Sequence, residues 1–112
     1  MLPILKHYQC IDENSLQLTL VLSKELFWFK GHFPVQAIFP GVAQIDLVMK
    51  YAKQYLQVDS NLFKGVDVIK FQQPLFPDDI VTLAIELIKE KQLLTFQYKV
   101  KDVIASSGKI TL

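Results

Sequence analysis

One stretch of this chain departs from everything around it. From Pro40 to about Leu56, apolar side chains fall at Val42, Ile45, Val48, Met49, Ala52, Tyr55 and Leu56, the spacing of a helix, behind a proline that can open one. Leu47 and Tyr51 widen the stripe beyond half the circumference, leaving Asp46, Lys50, Lys53 and Gln54 as the main polar side. A helix this apolar is normally enclosed by other structure. Elsewhere the pattern has period two. Leu16, Leu18, Leu20 and Leu22 alternate with Gln17, Thr19 and Val21, and similar alternation runs through 65–71, 80–89, 94–101 and 103–112. The links at 89–92 and 101–102 are too short for a helical crossover, so the last three strands run antiparallel.

One long helix with several strands predicts an α+β domain, a curved antiparallel sheet wrapped around a central helix at about 40–56. The order strand, loop, helix, strands suits a hot-dog fold. With 112 residues, no repeat and no Ser/Gly linker, 1–112 reads as one domain, and 51% apolar against 21% charged residues place it among globular proteins. No run approaches the ~18 apolar residues of a membrane span, and Pro3, Lys6 and His7 stand where a secretory leader needs an apolar run. A cytoplasmic protein with no membrane contact is expected. Cys10 is single, and His7 and His32 lack ligand spacing, so neither a disulfide nor a metal site is expected. All 12 basic residues are lysines and the net charge is +1, which argues against nucleic acid as a partner. A domain this small leaves apolar surface for a second chain, so a dimer is expected.

Between Phe27 and Pro40 two prolines and a glycine interrupt a run rich in aromatics, which reads as an ordered loop leading into the helix. At Gly41 the helix begins, and its backbone N–H groups and positive dipole end can receive an oxygen that gains negative charge. His32 is the side chain of this loop best suited to exchange a proton at neutral pH. Each feature also has a plainer account. His32 can be a loop histidine bonded to backbone, Gly41 a helix-entry glycine, and Phe27, Trp28 and Phe29 core residues. Asp46 stands four residues before Lys50, the spacing of a solvated ion pair. His7 has no supporting pattern.

Gly31-His32-Phe33-Pro34, then Pro40-Gly41-Val42 after five residues, then Asp46, resembles the signature of the β-hydroxyacyl-(acyl carrier protein) dehydratases of the hot-dog superfamily. The likeness continues through 68–79, where Lys70-Phe71-Gln72-Gln73-Pro74 is similar to the family's later strand and proline turn. The stretch Pro40-Gly41-Val42-Ala43-Gln44-Ile45-Asp46 looks most like the small thioester dehydratases of bacterial aryl polyene pathways. Two departures stand out. Val35 replaces the glycine that usually follows the His-Phe-Pro run, and Asp46 replaces the glutamate of the widespread members, a substitution shared with the dehydratase that also isomerises the double bond.

The resemblance implies dehydration of a β-hydroxyacyl thioester to the trans-2-enoyl thioester, with the substrate on the phosphopantetheine arm of acyl carrier protein and no metal or redox cofactor. It makes His32 the catalytic histidine, Asp46 the catalytic carboxylate and the Gly41 N–H the donor to the thioester carbonyl. It also implies a homodimer whose sites combine His32 of one subunit with Asp46 of the other. Phe33, Phe39, Phe71 and Val42 are the expected acyl-binding residues, and Lys30 and Lys64 the candidate contacts for the carrier. A hot-dog thioesterase using Asp46, or a non-catalytic carrier-binding subunit, are the rival readings.

Overall fold

The computed structural model describes residues 2–30 and 37–112. Six strands form a single antiparallel sheet: β1 (Ile4–Asp12), β2 (Ser15–Val21), β3 (Gly65–Phe71), β4 (Ile80–Ile88), β5 (Leu93–Val100) and β6 (Val103–Thr111). Their spatial order is β1-β2-β4-β5-β6-β3, so β1 and β3 are the two edges. One long helix, α1 (Gly41–Leu56), packs on one face with Pro40 as its N-cap, and this is the hot-dog arrangement. The last three strands are antiparallel as their short links require. Lys101 and Asp102, both with positive φ, make the two-residue turn between β5 and β6, the conformation whose twist matches the flanking strands.

The core is the sheet's inner face against α1. Leu16, Leu18 and Leu20 of β2, Val81, Leu83 and Ile85 of β4, and Leu94, Phe96 and Tyr98 of β5 meet Ala43, Leu47, Val48, Tyr51 and Ala52 of the helix. One cross-strand row spans all six strands: Tyr8, Leu18, Leu83, Tyr98, Ser106 and Phe71 stand directly opposite one another in turn. Residues paired this way share a face, so this row forms a seat for the helix. The Tyr8 ring lies 4.5 Å from the Tyr55 ring near the end of α1, while Tyr98, Ser106 and Phe71 reach its first turn.

Strand β1 was not expected. Its apolar residues Ile4, Leu5, Tyr8 and Ile11 do not alternate, because pairing with β2 slips between Leu5 and His7 and again between Cys10 and Asp12. Each such irregularity resets which side chains face inward and erases the period-two signal. The helix is also less enclosed than its wide apolar stripe suggests. Val42 is 65% exposed, and Ile45 and Met49 on the same side are partly exposed, leaving an apolar strip of α1 uncovered. No helix among the described residues is long and apolar enough to cross a membrane.

Candidate active site

The start of α1 is built from three consecutive peptide groups. Phe39 donates its N–H to the Leu75 carbonyl at 2.7 Å, tying the approach to the helix onto the β3–β4 connection. Proline at 40 restricts φ, here −72°, and its extended ψ of 158° turns the chain into the helix. The Pro40 carbonyl then accepts from the N–H groups of Ala43 at 3.0 Å and Gln44 at 3.1 Å. In a trans peptide the C=O and N–H point in opposite directions. The Pro40 carbonyl points along the helix, so the Gly41 N–H on the same plane points out of its N-terminal end, where the helix dipole is positive.

Outside that end lies a cleft of about 350 Å³ bordered by Ile38, Phe39, Pro40, Gly41, Gln44 and Phe71, with 72–74 closing it. Of the expected acyl-binding residues, Phe39 and Phe71 border this cleft. Phe39 is buried, its ring 5.7 Å from that of Phe29, whereas Phe71 is 55% exposed on the edge strand β3. The Phe71 ring lies directly over Gly41, in the space a side chain there would occupy.

Asp46 is elsewhere. Five residues along a helix turn the side chain through roughly 140°, and Asp46 borders a second cleft of about 320 Å³ with Val42, Ile45, Met49, Ser60 and Phe63. Its carboxylate is 2.9 Å from the Lys50 ammonium, the ion pair that their i,i+4 spacing implied. One chain therefore brings Gly41, Phe39 and Phe71 together and Asp46 and Val42 together, in separate clefts. His32 and Phe33 lie outside the described residues. Lys30 is exposed and within 3.7 Å of Glu25, and Lys64 is exposed just before β3.

Three polar residues escaped the sequence reading. Gln44 and Ser106 are the buried polar residues among those described, and the Tyr98 hydroxyl is fully enclosed beside them. Burial pushes that hydroxyl well above the ordinary tyrosine range, with the neighbouring Tyr51 and then Asp46 adding to the effect. It stays a donor, and its O–H donates to the Gln44 backbone carbonyl at 2.6 Å. The sequence did contain a signal for Gln44: it stands one turn before Leu47 and Val48 and two before Tyr51, a polar residue inside the buried stripe. Among the described residues no three His, Cys, Asp or Glu side chains gather as metal ligands would.

The family model described as ApeI-like: ApeI dehydratase matches residues 8–109. Among solved structures, the dehydratase heterocomplex ApeI:P from Xenorhabdus doucetiae contains a chain 42% identical, with a TM-score of 0.91, covering 99% of this chain and 97% of that one. A protein from Erwinia carotovora subsp. atroseptica is 39% identical with a TM-score of 0.86, covering 99% and 95%. The 3-hydroxyacyl-[acyl-carrier-protein] dehydratase FabZ of Macrococcus caseolyticus is 31% identical over 93 residues, 75% of this chain and 64% of that protein. The chain spans about half the length of other curated relatives it matches.

Proposed function

The chain belongs to the ApeI-like dehydratase family, and on that premise we propose that it eliminates water from a β-hydroxyacyl thioester held on acyl carrier protein, giving the trans-2-enoyl thioester for fatty acid or aryl polyene synthesis. The observation that carries the reading is the Pro40–Gly41 peptide, whose N–H points out of the positive end of α1 beside an apolar cleft. As the α C–H bond breaks, negative charge moves onto the thioester oxygen, and a donor fixed there stabilises the transition state more than the substrate. His32 takes the α proton. The electron pair forms the new double bond and the β C–O bond breaks, so a proton must reach the departing hydroxyl. Asp46, held against the Lys50 ammonium, orients the water through which the proton taken by His32 passes to the departing hydroxyl, which leaves as water. Nothing is oxidised or reduced, and the elimination needs no cofactor.

The separate clefts of Gly41 and Asp46 support a site completed by two subunits. Edge strand β3, with Val68 and Phe71 exposed, and the uncovered Val42, Ile45 and Met49 strip of α1 supply apolar surface for the second subunit. We take that subunit to be another copy of this chain, and place the assembly in the cytoplasm with its carrier. Asp46 of one copy then faces His32 and Gly41 of the other. Lys30 and Lys64 are exposed cations available to an acidic carrier.

Subunit mixing tests this. His32→Ala and Asp46→Ala are each expected to be inactive, whereas reassorted mixtures should recover about a quarter of wild-type activity, because half the dimers carry one intact site of two. Mixtures that stay inactive despite exchange contradict the composite site. Activity that appears on addition of a different hot-dog chain, with none from this chain alone, contradicts the homodimer, a distinction of interest because the Xenorhabdus structure is a heterocomplex.

A further inference from the structure

Gln44 uses every polar group it has. Its backbone N–H donates to the Pro40 carbonyl at 3.1 Å, its backbone carbonyl accepts the Tyr98 hydroxyl at 2.6 Å, its carboxamide oxygen accepts the Ser106 hydroxyl at 2.5 Å, and its carboxamide nitrogen donates to the Phe39 carbonyl at 3.3 Å. The residue is 3% exposed, among helix neighbours Leu47, Val48 and Tyr51 that are buried and pack on the sheet. Replacing a buried polar group together with its partners by apolar groups of the same shape is nearly neutral to stability, whereas removing one partner alone leaves the other unsatisfied. What a carboxamide supplies at this position is direction, because each of its two ends has a fixed partner.

Two of those partners lie directly before the donor. Gln44 holds the Phe39 carbonyl through its side chain and the Pro40 carbonyl through its backbone, and so fastens the two successive peptide groups that lead into Gly41. Ser106 and Tyr98 are neighbours in the cross-strand row and tie Gln44 in turn to β5 and β6. The next residue of that row is Phe71, whose ring covers Gly41. The direction of the Gly41 N–H is thereby referred to the sheet through Gln44.

We propose that Gln44 is a positioning residue for the dehydration: its carboxamide, anchored by Ser106, fixes the Phe39-Pro40 turn so that the Gly41 N–H meets the thioester oxygen. The inference rests on the reading of Gly41 as that oxygen's donor. It assigns Gln44 no contact with the reacting atoms, and makes Ser106 its support.

Gln44→Met keeps the length of the side chain and the backbone bonds to Pro40 and Tyr98 while removing both carboxamide bonds, and Ser106→Ala removes one. For Gln44→Met, kcat should fall at least about tenfold with KM changed less than about threefold, and Ser106→Ala should fall less. A readout independent of substrate is the Gly41 amide in a 15N–1H spectrum, which should move and exchange faster in Gln44→Met while the amides of Leu18 and Leu83 stay put. Wild-type kcat in Gln44→Met, or an unmoved Gly41 amide, overturns the proposal. If wild-type protein fails to dehydrate any β-hydroxyacyl thioester, the functional reading falls and the Gly41 amide alone decides whether Gln44 holds the turn. If Gln44→Met does not fold, Ser106→Ala carries the test: a lower kcat at unchanged KM supports the proposal, and wild-type kcat overturns it.

Discussion

The Phe71 ring rests on Gly41 so closely that a Cβ at position 41 would stand 2.5 Å from its Cζ. That contact joins the edge strand to the helix start and sets the consequence of enlarging the glycine. The obstacle is the tip of a half-exposed side chain, free to swing away, so Gly41→Ala should fold with Tm within ~4 °C of wild type, helped by the helix preference of alanine. Displacing the ring and crowding the donor should cost about 100-fold in kcat/KM. Calorimetry beside steady-state kinetics checks both, and wild-type turnover in the Gly41→Ala variant would mean that the Phe71 ring moves aside without crowding the backbone donor.

Gly108 is a different case. In β6 it lies between Phe96 and Ile69, and an added Cβ would stand 2.7 Å from the Val68 carbonyl and 2.8 Å from the Phe96 ring. The carbonyl belongs to the paired backbone of β3 and cannot turn aside. Gly108→Ala should therefore destabilise by about 1–3 kcal/mol through overpacking, read as a lower urea midpoint. An unchanged midpoint would mean that β3 is less firmly paired than its register with β6 implies.

Alkali should find the tyrosines behind the sheet. Burial, then the neighbouring Tyr55, raises the Tyr51 hydroxyl from its usual 10 to about 12, and burial holds Tyr98 above the ordinary range too. Between these values the folded chain binds protons that the unfolded chain has released. The stability these groups confer is thus complete below pH ~10 and is lost as pH rises through the folded values. Urea midpoints should fall between pH ~10 and ~12, with phenolate absorbance from Tyr51 and Tyr98 appearing together with unfolding. A flat midpoint, or full tyrosine ionisation in folded protein, would show that these hydroxyls are reached by solvent.

Much of this arrangement is legible in the residues. The period of Leu16 to Leu22 gives β2, the apolar stripe from Val42 to Leu56 gives α1, and the Asp46–Lys50 spacing gives the ion pair. Strand β1 is hidden because two slips in its pairing break the alternation. The separation of Gly41 and Asp46 follows from the helix turn between them, but the clefts they face depend on packing that local pattern does not carry. Nor does it reveal that Tyr98, Ser106 and Phe71 fall in one row. That fact comes from two strand registers, the β5–β6 hairpin and the β3–β6 pairing, the second fixed by contacts between residues distant in sequence.

The most direct test is intact mass spectrometry of a β-hydroxyacyl carrier protein incubated with the purified protein, beside His32→Ala. Loss of one water from the acyl carrier is expected, and is absent with His32→Ala. Release of the whole acyl group, or water loss that persists without His32, would contradict this mechanism.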